Sequence, residues 1–217
     1  MGGHEAGDVA SEEVTKAFAK YFLEHSHLEI TERLDRALEA SNAHLAEVQK
    51  KRHTTNMGTT LVAAYIKKNE LWWISVGDSH LYLWRPAEQC LQKLNEDHSM
   101  WPLAEAEWKM GNVSYEYALR QRSILRSALM GDEPELIDLP TEPIELREDD
   151  IIFLSSDGLD DWLENVTPYG LELLVAHSQG SMEDFTATIM KQVEDMEVPW
   201  QDNVTLVATR IHQEHKD

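Results

Sequence analysis

The periodicity of this sequence changes at Gly58, and that change restricts the fold more than any other feature. Before it, apolar residues recur at helical spacing. Val9, Val14, Phe18, Tyr21 and Phe22 do so over 8–25, and Ile30, Leu34, Leu38, Leu45 and Val48 over 29–50. Charged residues such as Glu32, Arg36, Glu39 and Glu47 fill the other face, so each stripe is a core-facing one. After Gly58 come four short β-prone runs, at 59–66, 71–76, 80–84 and 90–94. They are separated by the turns Lys67-Lys68-Asn69-Glu70, Gly77-Asp78-Ser79 and Arg85-Pro86-Ala87-Glu88. Short strands joined by short turns predict an antiparallel meander. Helices gathered at one end and antiparallel strands after them place the chain in the α+β class.

The second half is mixed. The pattern predicts a short helix at 101–110, a segment of unassigned type at 117–130 and a short strand at 144–146. A buried strand at 151–155 runs into a helix through Leu159, Trp162 and Leu163. Helices follow at 168–177 and 182–196, and a strand at 204–211 closes the chain. No repeat, low-complexity tract or linker interrupts the 217 residues, so 1–217 reads as a single domain. Nineteen Lys and Arg against 40 Asp and Glu give a net charge of −21, which excludes a protein that tracks nucleic-acid phosphates. No apolar run reaches the roughly 18 residues a membrane span needs. The single cysteine, Cys90, excludes a disulfide framework, and with no leader at the start it predicts a cytoplasmic protein.

Two aspartates stand at the ends of buried strands. Asp157 follows 151–155 and precedes Gly158, while Asp202 precedes Asn203 and the strand 204–211. If these strands are antiparallel neighbours, the end of one lies beside the start of the other and the carboxylates converge. Such oxygen-rich sites suit hard divalent cations. By spacing alone, a turn residue and a loop residue explain the two aspartates as well.

Six motifs, in order along nearly the whole chain, resemble those of the PP2C (PPM) family of metal-dependent protein serine/threonine phosphatases, bacterial type. They are Gly2-Gly3-His4-Glu5-Ala6-Gly7, Met57-Gly58-Thr59-Thr60, Val76-Gly77-Asp78-Ser79-His80, Glu96-Asp97-His98-Ser99, Leu154-Ser155-Ser156-Asp157-Gly158 and Gln201-Asp202-Asn203-Val204-Thr205. His80 stands where the family usually has arginine. The resemblance implies an αββα sandwich of two antiparallel sheets flanked by helices, with N-terminal strands missing. It implies Mg²⁺ or Mn²⁺, two or three ions in the complete domain. Asp157 and Asp202 would be ligands of one ion and Asp97 of an additional, weaker one, with Gly158, Asn203, Gly2 and Gly3 supporting the site. No side chain would be the nucleophile, because metal-activated water attacks the phosphoserine or phosphothreonine.

The family's first motif reads Asp-Gly-Met-Gly-Gly-His, and this chain opens at its methionine. The resemblance therefore implies impaired or absent hydrolysis in the chain as it stands. The alternative is an inactive phosphatase-like module that binds a phosphoprotein or a kinase. The implied partner is a phosphoprotein, either a serine/threonine kinase or its target, in bacterial signalling. Neither nucleic acid nor membrane is expected, and the oligomeric state is not legible.

Overall fold

The structure, a computed structural model, describes residues 6–54, 56–199 and 201–212. Gly2 and Gly3 lie outside them. The chain divides into two compact units, each assembled from separated segments. One comprises Met1–Ile66, Trp72–Asp78 and Glu96–Pro143; the other comprises Lys67–Leu71, Ser79–Asn95 and Ile144–Asp217.

In the first unit, helices α1 (Gly7–Glu24) and α2 (Ile30–Arg52) cover strands β1 (Leu61–Lys67) and β2 (Glu70–Val76). The residues that reach the core are those the spacing selects. Ala10, Val14, Phe18 and Phe22 of α1 and Leu34, Leu38, Leu45 and Val48 of α2 are buried against Met57, Leu61, Ile74, Val76 and Leu129. α2 stops where His53 turns left-handed, at φ 55°, and its backbone N–H reaches the Gln49 and Lys50 carbonyls. Lys50, Lys51 and Arg52 place positive charge on that negative helix end. Two short helices follow, α3 (Trp101–Lys109) and α4 (Tyr115–Arg120). The run at 117–130 that the sequence leaves unassigned is helical only in this one capped turn and a half. Ser114 Oγ accepts the Tyr117 N–H at its start.

The four-stranded meander predicted from the sequence does not form. β1 and β2 lie side by side, and the first residues of β2, Glu70 and Leu71, pair in the second unit with Glu145 and Ile144 of β5 (Ile144–Glu145). β3 (His80–Arg85) leaves β2 and pairs instead with β4 (Cys90–Lys93) and β6 (Ile151–Ser155). Gly77 makes the break. Its φ is +108°, and a Cβ there would lie 2.3 Å from Thr60 Cγ2, so only glycine lets the chain turn away at this point.

The second unit is built on the sheet β4-β3-β6-β7, antiparallel throughout, with β7 at Leu206–Arg210. Helices α5 (Asp160–Asn165), α6 (Pro168–His177) and α7 (Met182–Asp195) belong to it. Thr167 and Ser181 cap α6 and α7 by accepting the Gly170 and Asp184 N–H groups. Trp84, Phe153, Leu159, Trp162, Leu171, Phe185 and Ile189 form the core between helices and sheet. No helix among the described residues is long and apolar enough to cross a membrane.

Candidate functional site

The antiparallel pairing of β6 with β7 sets Ser155 opposite Leu206, so the chain leaving β6 runs beside the chain entering β7. Four hydrogen bonds hold the two segments together beyond the strands. Ser156 N–H donates to the Thr205 carbonyl at 3.1 Å, and Thr205 N–H returns to Ser156 Oγ at 3.0 Å. Ser156 Oγ donates to the Asn203 carbonyl at 3.1 Å, and Gln201 Nε2 donates to the Gly158 carbonyl at 2.7 Å. The backbones come so close that a Cβ on Gly158 would lie 2.5 Å from the Asn203 oxygen and 3.1 Å from the Asp202 oxygen. Glycine is required here by approach, not by a positive φ.

Asp157, Gly158, Asp202 and Asn203 are thus gathered at one end of the second sheet. Asp157 is half-buried, at the first position of a single 3₁₀ turn (Asp157–Leu159) that leads into α5. Asp202 is exposed, and its Oδ1 accepts the Asn203 N–H at 2.8 Å, which fixes the carboxylate against its own backbone. Burial raises the Asp157 pKa above the ordinary aspartate value, and the neighbouring charges of Asp202 and Asp160 raise it further. A half-buried carboxyl in the company of two other acids is a place where added positive charge is favoured. The donors are hard oxygens, which fit Mg²⁺ or Mn²⁺ and not a thiolate-seeking metal.

Asp97 belongs to the first unit, where its Oδ1 accepts the Ser99 N–H at 2.8 Å and shapes the turn before α3. His98 beside it is buried, with Nδ1 accepting the Gly77 N–H at 3.2 Å. Burial lowers the His98 pKa.

Three parts of this site carry little signal in the sequence. Ser156 and Gln201 hold the two segments together, and a small hydroxyl residue at a strand end is a weak signal for the first of them. Asp160, three residues after Asp157, adds to the acidic surroundings, and its position one turn on is the signal that was present.

A family model described as Protein phosphatase 2C matches residues 1–201. The serine/threonine protein phosphatase PstP of Mycobacterium tuberculosis is 35% identical over 171 residues, 77% of this chain and 32% of PstP. The serine/threonine phosphatase stp of Listeria welshimeri is 33% identical over 73% of this chain and 63% of its own length. This chain therefore spans about a third of one of these relatives and under two thirds of the other. The solved catalytic domain of PstP in complex with two manganese ions superposes with a TM-score of 0.72 at 28% identity, covering 98% of this chain and 85% of that one. The fold class of helices with two antiparallel sheets, expected as an αββα sandwich, is that of these phosphatases. With the match extending over 201 of its 217 residues, the chain belongs to the protein phosphatase 2C family.

Proposed function

We propose that this protein hydrolyses phosphoserine and phosphothreonine on proteins, using a divalent cation held in part by Asp157 and Asp202. The observation that carries this reading is the close approach of the 157–158 and 202–203 backbones, which puts both aspartates at one strand end. Asp157 and Asp202 would hold one Mg²⁺ or Mn²⁺, and Asp97 would serve an additional ion. When bound, such ions supply positive charge to the phosphoryl oxygens and lower the pKa of water so that it becomes a nucleophile. This chain's own residues orient the donors: Asn203 N–H fixes Asp202, while Gln201 and Ser156 lock the two segments. Gly158 and Asn203 support the site through their backbones. A two-manganese relative supports the choice of metal.

The substrate is a phosphoprotein, either a serine/threonine kinase or a kinase target. A surface of charge −21 favours basic segments around the phosphorylated residue. The compartment we favour is the cytoplasm, since Cys90 is a free, exposed thiol and the sole cysteine. The unbroken family match over 1–201 supports reading 1–217 as one domain.

Calorimetric titration with Mn²⁺, together with Mn²⁺-dependent phosphate release from a phosphothreonine peptide, tests the proposal. The expected result is Mn²⁺ binding that Asp157→Asn and Asp202→Asn each weaken beyond the roughly 10–100-fold that losing an outer partner costs. Whatever phosphate release the chain supports should need Mn²⁺ and vanish in both variants. A chain that binds the peptide but releases no phosphate is a binding module. A chain that binds neither Mn²⁺ nor the peptide is neither.

A further inference from the structure

His80 is a buried ionisable side chain, 3% exposed, at the first position of β3. Its Nε2 contacts Asp160 Oδ1. An ionised carboxylate only accepts, so Nε2 carries the hydrogen of this contact. Nδ1 is buried without a hydrogen-bond partner. The same holds for Oγ of Ser155, the residue directly opposite His80 on β6. Directly opposed residues of antiparallel strands project from the same face of the sheet. An apolar pair of similar shape would avoid leaving two buried polar atoms unbonded at one cross-strand pair.

The contact joins β3 to the turn that carries Asp157. Asp160 opens α5 three residues after Asp157, directly beyond the 3₁₀ turn of 157–159. Gln201 and Ser156 hold this turn to the β7 side through side chains that donate to backbone carbonyls. His80 holds it to β3 through a side chain. A turn fixed from two strands keeps its carboxylate in one direction, and a turn fixed from one can swing.

We infer that His80 is a positioning residue, which through Asp160 sets the direction of the Asp157 carboxylate for the cation. The inference rests on the metal-binding reading of Asp157. It concerns the aim of one ligand and involves no proton transfer.

The test is Mn²⁺ titration calorimetry on the intact protein, comparing the unsubstituted chain with His80→Ala, His80→Gln, Asp160→Ala and Asp157→Asn. His80→Ala and Asp160→Ala should each weaken Mn²⁺ binding by about 10-fold, the lower end of what losing an outer partner costs. His80→Gln keeps an N–H donor and should recover most of the affinity. With p-nitrophenyl phosphate as substrate, the Mn²⁺ concentration for half-maximal rate should rise in His80→Ala while KM for the ester stays constant. Unchanged Mn²⁺ affinity in both alanine variants, even with a lower melting temperature, overturns the inference and leaves His80 a packing residue. If His80→Ala does not fold, Asp160→Ala and His80→Gln decide: native affinity in the first, or lost affinity in the second, counts against it. Lost affinity in Asp157→Asn with native affinity in the others sinks this inference alone. No Mn²⁺ binding by the unsubstituted chain, or full binding by Asp157→Asn, sinks the metal reading and this inference with it.

Discussion

In the first unit, buried polar side chains of α2 bond the backbone of irregular segments, whereas in the second the core between helices and sheet is lined by apolar residues. In the first, Asn42 Nδ2 donates to the Asp132 carbonyl at 2.6 Å and Asn42 Oδ1 accepts the Gly131 N–H at 2.8 Å. Gln49 Nε2 donates to the Met57 and Met130 carbonyls at 2.8 and 2.9 Å. Arg33 bonds the Phe22 carbonyl and lies over the Phe22 ring. One helix, α2, thereby holds the loops at 57 and 130–132 in place. In the second unit the sheet ladder orders the chain, and the helix-facing residues of β3 and β6, such as Trp84 and Phe153, have only to fill space. Irregular segments need side chains to satisfy their backbone groups, and strands satisfy one another.

The largest effect is expected at Phe153. This ring is fully buried and stacks on Tyr82 across the strands at 5.3 Å. Phe153→Ala should cost about 3–5 kcal/mol by denaturant unfolding. A loss below about 1 kcal/mol would show that the second core is not close-packed as described. Asn42→Ala sharpens the other side. It strands the Asp132 carbonyl and the Gly131 N–H and should cost about 1–3 kcal/mol, with faster hydrogen exchange at Gly131. Exchange unchanged there would mean that the loop does not depend on α2.

The smallest effect concerns Asp150, a buried acid of the second unit whose Oδ2 accepts the Arg147 N–H at 2.9 Å. Burial raises its pKa, and the Arg147 N–H and Arg85 only partly oppose that. A carboxyl raised on folding favours the folded state at pH below its unfolded pKa. That contribution is lost as pH climbs through the folded pKa. Asp150→Asn removes this titration, so its stability relative to the unsubstituted protein should rise from pH 4 to pH 7. Unfolding curves at the two pH values that differ equally for both proteins would contradict the assignment.

How much of this was legible beforehand follows from what periodicity encodes. The stripes of Val14 and Phe18 and of Leu34, Leu38 and Leu45 predict α1 and α2 to within two residues, because helical spacing is local. Strand pairing is not local. The run from Leu61 to Lys93 reads as one meander, but Gly77 sends β3 to a partner some 70 residues on, pairing Leu83 with Ile152. The approach of Asp157 to Asp202 could be stated only conditionally, since it waits on the pairing of β6 with β7. His80 with Asp160 had no local signature at all, because the two residues are 80 positions apart.

The interleaving of the two units bears on how the protein is made. The pairs Tyr82–Phe153 and Phe153–Ala208 cannot exist until the ribosome has delivered almost the entire chain. β3 and β4 must therefore wait, with one side of β3 unpaired, while some sixty intervening residues are synthesised. Contacts this distant in sequence slow folding. A nascent chain stalled before residue 150 would expose an open strand edge that the finished protein covers.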